Sequence, residues 1–369
     1  MKILLLGEYS NVHATLAEGL RQLGHTVTVA SNGDFWKDYP ADISLKRTPG
    51  KIGGMMFMLR LAEVLHKLKG YDIVQLINPI FMELKAERLF KIFDYIKRNN
   101  KAVILGAFGM DWAWVHTCTY EKPLRYSDFN IGETRRTNKD AIREQADWLG
   151  TAKELLNRKI AAECDRIVAG LYEYWVCYDH LYKDKTTFVP FPIKAHETKA
   201  VSKNKKLKIF IGINKTRNEY KGTDIMLKAA EDVERAYPDK IELIKAESVP
   251  FNIYQKMMDG SDAILDQLYS YTPAMNALLA MSKGIICIGG GEEEQYGIIH
   301  EDKLRPIINV TPDYQSVYEN IKRLATASDE EIINLKQQSI KYVAKHHNYI
   351  KVAKQYSNLY EAVLSNKTK

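Results

Sequence analysis

The sequence predicts an α/β protein made of two doubly wound, Rossmann-like domains. The chain has 369 residues, more than one ordinary hydrophobic core requires. Apolar strands alternate with helices in both halves of the chain, a pattern typical of parallel sheets covered by helices. A segment with two prolines, residues 188–193, and a polar run, residues 194–206, separate the two halves. We therefore expect one domain on each side of this break.

Continuous apolar runs in the first half predict the strands of a buried parallel sheet. The predicted strands are residues 2–6, 26–30, 72–77, 102–106 and 166–169. The predicted helices between them are residues 12–23, 53–69, 80–98 and 149–163. Together these elements form a first domain over residues 1–192.

The same alternation restarts after the break and predicts a second domain over residues 193–348. Its strands are predicted at residues 207–211, 241–246, 262–268, 285–288 and 306–310, and its helices at 223–236, 252–258, 274–284, 313–325 and 329–345. The last helix has one apolar face, formed by Val352, Tyr356, Leu359 and Val363. We expect it to cross back, so that residues 349–369 join the first domain.

The composition limits the classes of binding partner and the cellular compartment that we expect for this protein. The net charge of +7 fits anionic substrates, a membrane surface or simply a solvated surface rich in lysine. Nucleic acid is not an expected partner, because the basic residues are scattered and no recognition motif accompanies them. The four cysteines lack CxxC spacing, which argues against zinc and disulfides. No run of about 18–20 apolar residues is present, so we expect a cytoplasmic protein.

A strand, a polar turn and a helix in the second half form the element around which the chain is organised. Thr272 is predicted as the N-cap of this helix and Pro273 as its first residue. A helix N-terminus at the end of a parallel strand offers free N–H groups and a positive dipole to an anion. We expect a diphosphate there, bound near Tyr271 and Thr272.

The loop after the first strand also lies at the carboxyl edge of a sheet. Ser10 and Asn11 suit the binding of hydroxyl groups, and a helix cap by either is the alternative. His13 is a candidate general base. A nicotinamide fingerprint is absent, since Gly7 is the only glycine of this loop.

A second polar site follows the strand at residues 102–106. Asp111 is expected to point into the cleft as a base or as a ligand of a sugar hydroxyl, and the alternative is an N-cap on the next turn. Trp112 and Trp114 are too close in sequence to share a helix face. We expect one to pack in the core and Trp112 to offer a stacking surface to an acceptor sugar.

Two further loops of the second half carry candidate ligand contacts. Arg217 and Lys221 stand between a strand and a helix, where their charges suit a diphosphate leaving group. Gly290 and Gly291 allow close backbone approach to a ligand. The carboxylates that follow, Glu292 and Glu294, would bind hydroxyls of a sugar or ribose, and the alternative for most of this acidic run is a solvated surface.

Residues 51–69 predict an amphipathic helix with surplus apolar surface. One stripe is formed by Ile52, Met55, Met56, Leu59 and Ala62, and further apolar area outside it comes from Phe57 and Met58. Such a helix, with its basic residues, could rest on an anionic membrane. The alternative is packing within the first domain.

Taken together, these motifs resemble those of the GT-B glycosyltransferases, in particular the large "group one" family that uses nucleotide sugars. The matching features are a glycine-ended first strand, Gly109-Met110-Asp111, the linker Val189-Pro190-Phe191-Pro192, Lys221-Gly222, the segment from Asp262 to Ile288 with its Ala280–Ile288 end, the glycine and glutamate loop and the terminal helix. The resemblance spans nearly the whole chain.

This resemblance implies a cleft between the two domains, with the donor bound by the second and the acceptor by the first. It implies a UDP- or GDP-linked sugar as donor, a glycan or lipid-linked acceptor, and chemistry without metal or cofactor. Arg217 and Lys221 would hold the diphosphate. The protein would then work in the cytoplasm, or peripherally at the inner face of the membrane.

One family motif is missing. Alignment on Ala280 to Gly284 puts Tyr271 and Leu279 where the two glutamates of an E-x7-E motif belong, which in the family contact the donor sugar and the ribose. Two alternatives therefore stay open beside a glycosyltransferase: a non-catalytic GT-B subunit that only binds, and a sugar-nucleotide epimerase on the same scaffold.

Overall fold

The computed structural model describes residues 1–34, 37–195, 201–214, 217–247 and 249–367. Part of the predicted linker, residues 196–200, lies outside the described residues. In chain order the strands are β1 (Lys2–Leu6), β2 (Thr26–Ser31), β3 (Ile43–Ser44), β4 (Ile73–Leu76), β5 (Ala102–Ala107), β6 (Asn130–Ile131), β7 (Thr134–Arg135), β8 (Arg166–Ala169), β9 (Thr186–Phe188), β10 (Leu207–Ile213), β11 (Ile241–Glu247), β12 (Ala263–Leu265), β13 (Ile286–Gly289) and β14 (Ile308–Asn309).

Helices alternate with these strands. They are α1 (Val12–Gln22), α2 (Gly50–Leu65), α3 (Ala86–Asn99), α4 (Trp112–His116), α5 (Lys139–Trp148), α6 (Ala152–Glu163), α7 (Tyr172–Tyr182), α8 (Asn218–Lys221), α9 (Thr223–Ala236), α10 (Phe251–Met258), α11 (Met275–Ser282), α12 (Glu293–Ile298), α13 (Tyr314–Thr326), α14 (Asp329–His346) and α15 (Tyr349–Lys367). Single turns at His66–Leu68, Thr117–Glu121 and Lys183–Lys185 extend α2, α4 and α7.

Two parallel sheets confirm the predicted fold class. The first has the order β3-β2-β1-β4-β5-β8-β9, and the second has the order β11-β10-β12-β13-β14. Every pairing within these two sheets is parallel, whereas β6 and β7 form a separate antiparallel hairpin. The sheets fall on either side of the predicted break at residue 192.

The central strands are buried on both faces, as their unbroken apolar sequences predict. Ile3, Leu4, Leu5 and Leu6 of β1 are all inaccessible to solvent, because helices cover both sides of the sheet. In the second sheet β12 and β13 are buried in the same way. The sheets therefore form rigid platforms, and the loops at their carboxyl ends are free to vary.

The terminal helix α15 crosses back onto the first domain as predicted and packs on α1. Gly19 allows the close approach, since a Cβ at this position would lie 2.6 Å from the carbonyl oxygen of Tyr349. The Tyr349 hydroxyl accepts a hydrogen bond from Gln22, and Ser357 pairs with His25. Deeper in the contact, the Tyr360 hydroxyl donates to Gln75 on β4 at 2.7 Å.

The chain passes between the two halves at two adjacent points. The Ile193 N–H donates to the carbonyl of His347 at 2.6 Å, and the Tyr349 N–H donates to the carbonyl of Ile193 at 3.2 Å. The two crossing segments are therefore paired by backbone hydrogen bonds.

Several elements differ from the sequence predictions. The predicted helix at 80–98 begins only at Ala86, because the segment before it is held by the Asn78 side chain in a turn. Helices α5 and α7, strand β9 and the β6–β7 hairpin were not predicted. We refer to residues 122–137, which include this hairpin, as the arm.

Candidate functional site

The candidate site lies where the carboxyl ends of the two sheets meet. In the first sheet the strand order reverses between β1 and β4, and in the second it reverses between β10 and β12. Ligands of open α/β sheets bind in the crevice at such switch points. The loops after β1, β10 and β12 carry most of the polar residues singled out in the sequence.

The loop after β10 places two cations at the switch point of the second sheet. Arg217 is exposed immediately before α8, and Lys221 is partly buried at its end. Gly222 follows with a φ of 70°, a conformation that a side chain disfavours, and its Cβ would lie 2.6 Å from Leu268. This close contact holds Lys221 against the loop that follows β12.

Lys221 is a lysine in an unfavourable environment. Burial lowers its pKa, and the positive charges of Arg217 and Lys37 lower it further, whereas Asp266 and Asp128 raise it. Among the described residues no carboxylate lies within 4.0 Å of the side-chain nitrogens of Arg217 or Lys221. The two cations are therefore available to an anionic ligand.

Two carboxylates near Lys221 were not recognised in the sequence. Asp266 follows β12, and its Oδ2 atom has no hydrogen-bond partner among the residues that the structure describes. Asp128 belongs to the arm of the first domain, and its Oδ2 accepts from the Trp114 indole N–H at 3.3 Å. Burial raises the pKa of each to about 6, an effect that the charge of Lys221 partly offsets. Asp266 directly follows an apolar run, a signal that could have marked it as a residue at a strand end, whereas nothing in the sequence distinguishes Asp128 from a surface aspartate.

The loop after β1 contributes the first domain's side of the site. Ser10 and Asn11 adopt left-handed backbone conformations with φ of 51° and 69°. The Ser10 N–H donates to Asp34 at 2.8 Å, and its hydroxyl accepts from Lys37 at 3.1 Å. Asn11 precedes α1 without a side-chain cap, so the alternative reading of Asn11 as a cap is wrong.

The cap of α1 is instead Glu8, which the sequence analysis passed over. Its two carboxyl oxygens accept the N–H groups of His13 at 3.3 Å and Ala14 at 2.7 Å. Glu8 is 2% exposed, and burial raises the pKa of this carboxyl to about 8, because the backbone hydrogen bonds offset only part of the desolvation.

His13 does not reach the cleft, which corrects the prediction that it is a general base. It is completely buried; its Nδ1 lies 2.9 Å from the carbonyl of Gly7 and its Nε2 lies 3.1 Å from the amide nitrogen of Gln75. Burial lowers its pKa to about 3. His13 is therefore a neutral core residue that links β1 to Gln75 and, through it, to Tyr360 of α15.

Asp111 is also buried and fully engaged. Its Oδ1 accepts the Trp114 N–H at 2.9 Å, which makes it the N-cap of α4, and its Oδ2 accepts the Tyr178 hydroxyl at 2.8 Å. Burial raises the pKa of Asp111 to about 7 despite these bonds. The alternative interpretation of Asp111 as a helix cap is the one the structure favours.

Trp112 lies in the core, which corrects its interpretation as a stacking surface. Both Trp112 and Trp114 are buried, because α4 is enclosed by α5, α6 and α7. Trp112 stacks on His116 with ring centroids 4.8 Å apart. It offers no face to an acceptor sugar.

The organising stretch departs from prediction at the helix start. Helix α11 begins at Met275 after Ala274, so neither Thr272 as N-cap nor Pro273 as first residue is correct. The hydroxyl of Thr272 accepts instead the N–H of Tyr172, a residue of the first domain. No side chain of the described residues caps α11; the Ala274 N–H before it donates to Asp266, a bond that offsets part of the rise that burial causes in the pKa of this carboxyl.

Tyr271 is buried between the two domains. Its hydroxyl accepts the Arg125 N–H at 2.8 Å, and its ring lies against Tyr126 and Tyr172 with centroids 4.8 and 5.8 Å away. Two of these three neighbours, Arg125 and Tyr126, belong to the arm. Tyr271 stands where the resemblance places a contact with the donor sugar. The space around its ring is therefore filled by other residues of the protein.

The loop that contains Gly290, Gly291, Glu292 and Glu294 also packs against other parts of the protein. A Cβ at Gly290 would overlap the carbonyl of Ser270 at 2.0 Å, and the Gly291 N–H donates to Asn309 at 2.9 Å. Glu292 and Glu294 both accept hydrogen bonds from the Arg125 guanidinium, at 2.6 Å for Glu292.

The arm thus spans the cleft. Besides Arg125, the Tyr126 hydroxyl donates to Glu292, and Arg136 donates to the carbonyls of Glu219 and Tyr220 at 2.8 and 2.9 Å. The Arg136 guanidinium also lies 3.5 Å above the Tyr269 ring. The sequence hardly indicates that the arm contacts the second domain, because these contacts join residues more than 80 positions apart.

The described ranges contain no cluster of three or more His, Cys, Asp or Glu side chains arranged to hold a metal ion. What the site offers chemically is a concentration of positive charge at a switch point. Lys37 faces it from the first domain, and Arg217 and Lys221 from the second, with two partly buried aspartates beside them.

The architecture is that of the GT-B fold, as the sequence resemblance predicted. Among solved structures, the chain is similar to sucrose-phosphate synthase from Thermosynechococcus elongatus, with a TM-score of 0.63, 13% identity and coverage of 99% of this chain and 100% of that one. It is also similar to the catalytic domain of starch synthase IV from Arabidopsis thaliana bound to ADP and acarbose, with a TM-score of 0.60, 11% identity and 99% of both chains covered.

A third similar structure is Anabaena HepE in complex with UDP and glucose, with a TM-score of 0.59, 10% identity and coverage of 98% and 100%. At these identities the likeness concerns the fold. No family model and no curated protein matches the chain.

Proposed function

We propose that this protein is a glycosyltransferase that moves a sugar from a nucleoside diphosphate sugar to an acceptor. The observation that carries the proposal is the pair Arg217 and Lys221 at the switch point of the second sheet, for which no carboxylate of the described residues lies within 4.0 Å. Two of the similar structures, one bound to ADP and one to UDP, support a nucleotide as the ligand.

The chemistry follows from the leaving group. As the bond to the sugar breaks, negative charge develops on the diphosphate, and Arg217 and Lys221 would stabilise it without a metal ion or other cofactor. A UDP- or GDP-linked sugar fits this role. If the reaction inverts configuration it needs a base, and Asp128 is a better candidate than Asp111 or His13, whose polar atoms are already bonded within the core.

We propose a glycan or a lipid-linked sugar as acceptor, bound by the first domain, and a cytoplasmic location that includes the inner face of the membrane. None of the described helices is both long and apolar enough to cross a bilayer. A contact with the membrane would therefore be peripheral.

Calorimetry with UDP, GDP and a panel of their sugars tests the donor site. Lys221→Ala should weaken binding of the nucleoside diphosphate about 10- to 100-fold, since a charged hydrogen bond contributes about 1.5–3 kcal/mol. It should also lower turnover by orders of magnitude without unfolding the protein. Lys240→Ala, at an exposed lysine of the same domain, is the matched control. Wild-type affinity and turnover in Lys221→Ala would remove Lys221 from the site.

A non-catalytic GT-B subunit is the second candidate, and the surroundings of Tyr271 favour it. The arm fills the space beside Tyr271, and Leu279 has no polar atom with which to bind a ribose. Nucleotide binding without transfer or hydrolysis would support this candidate. Conversion of the nucleotide sugar without an acceptor would instead indicate an epimerase, and failure to bind any nucleotide would contradict both enzymatic proposals.

A further inference from the structure

Helix α2 packs against the first domain with only one of its faces. Phe57, Leu61 and Val64 are buried in the core, and Gly53 fits closely against the Thr48 carbonyl, where a Cβ would come within 2.1 Å. These positions lie on one side of the helix, because they recur at intervals of three and four residues. This buried face agrees with the expectation that the helix packs within the first domain.

The opposite face of α2 is apolar and bare. Ile52 is 75% exposed, and Met55, Met56 and Leu59 are between 58% and 62% exposed. Their spacing of three, four and seven residues forms a continuous stripe along the first turns of the helix. Soluble proteins rarely leave such a row of large apolar side chains in water, so the stripe marks a surface that another body covers.

Basic residues flank this stripe along the chain. Between residues 46 and 69 there are six lysines and arginines (Lys46, Arg47, Lys51, Arg60, Lys67 and Lys69) against one acidic residue, Glu63. All six are exposed. Lysine and arginine can extend their alkyl chains along an apolar surface while their charges reach a polar layer, which suits the boundary between headgroups and acyl chains.

We propose that α2 lies flat on an anionic lipid bilayer, with Ile52, Met55, Met56 and Leu59 inserted below the headgroups. The apolar stripe supplies the insertion, and the surrounding positive charge matches anionic lipid. A helix of 16 residues is about 24 Å long, enough to rest in the interface but too short and too amphiphilic to cross it. This inference stands apart from the proposed enzymatic function, because it rests on a different surface.

The experiment is flotation of the full chain with vesicles of phosphatidylcholine alone and of phosphatidylcholine with phosphatidylglycerol. We expect binding to the anionic vesicles that weakens at high salt. The variant Ile52→Gln/Met56→Gln/Leu59→Gln should lose at least about a hundredfold in partition, since three inserted side chains are replaced by polar ones. Glutamine favours helix, so the fold should be retained, which circular dichroism checks.

The matched control is Ile142→Gln/Leu155→Gln, at exposed apolar residues of α5 and α6, which are 52% and 61% accessible. It should bind like the wild type. Removal of charge by Arg60→Gln/Lys67→Gln should weaken binding about fivefold for each charge. Absence of binding to anionic vesicles, equal binding by the triple variant, or a wild-type dimer in solution that the triple variant abolishes would each overturn the proposal.

Discussion

The buried carboxyl of Glu8 makes a sharp prediction about stability and pH. Its pKa is raised from 4.5 to about 8 by burial, so the folded state holds a proton that the unfolded state has released between these values. As far as Glu8 is concerned, the free energy of unfolding therefore keeps its full value below pH 4.5. It falls as the pH rises from there towards 8. The slope is about 1.4 kcal/mol per pH unit, or about 4–5 kcal/mol over the whole window.

The perturbation is Glu8→Gln, which removes the ionisation but keeps the size of the side chain. Its amide nitrogen cannot accept one of the two N–H groups that Glu8 caps, so the variant should be less stable than the wild type at pH 5. The stability of Glu8→Gln does not depend on the titration of a carboxyl at this position. The difference in free energy of unfolding between the wild type and the variant should therefore shrink by about 1.4 kcal/mol per pH unit and reverse its sign near neutral pH.

Urea unfolding at pH 5, 6, 7 and 8, followed by tryptophan fluorescence, measures this difference. Glu18→Gln is the matched control, because Glu18 lies on α1, the helix that Glu8 caps, with 45% of its side chain exposed; the stability of this variant should stay parallel to that of the wild type. Parallel curves for wild type and Glu8→Gln would refute the reasoning, since they would mean that Glu8 is ionised in the folded protein.

Two other predictions concern the cleft. Arg125→Ala removes the ion pairs of the Arg125 guanidinium with Glu292 and Glu294 and leaves the bond from Tyr126 to Glu292; we expect it to open the cleft, seen as a larger radius of gyration in X-ray scattering, at a cost of no more than about 1 kcal/mol because Arg125 is 57% exposed. Arg143→Ala, whose ion pairs stay within α5, is its control, and an equal radius for both variants would contradict the prediction. Asp128→Asn should abolish a rise of kcat/KM through about pH 6 if Asp128 acts as base, because burial raises its pKa to about that value; an unchanged pH profile would exclude that role.

The sequence predicted the fold well because parallel strands carry their own signal. The short apolar run at residues 285–288 predicts a strand buried on both faces, which the structure has at Ile286–Gly289, and helix α9 begins and ends at the predicted residues. The site was harder to predict, because its polar groups are engaged by residues remote in sequence. The local sequence predicts Thr272 as an N-cap. In the structure its hydroxyl accepts the N–H of Tyr172 from the other domain, and no local sequence pattern indicates that contact.

The same limitation explains the misassigned histidine and tryptophan. His13 follows a strand end, as cleft residues do, but it stands in the first turn of α1 and points down onto the sheet towards Gln75. Trp112 has an aromatic face that suits stacking on a sugar, yet α4 is enclosed by α5, α6 and α7 and the ring is buried. Burial is a property of the assembled fold, and short-range patterns do not report it.

The paired crossing at Ile193 and Tyr349 has a mechanical consequence. Two strands of chain joined by backbone hydrogen bonds act as a single hinge, about which one sheet can turn relative to the other without either sheet unfolding. Helix α15 moves with the first domain, because Tyr360 is tied to Gln75. The resistance to opening then comes from the arm together with the contacts of α7, such as the bond from Tyr172 to Thr272, so that a ligand entering between Arg217, Lys221 and the arm competes with a small number of identifiable hydrogen bonds.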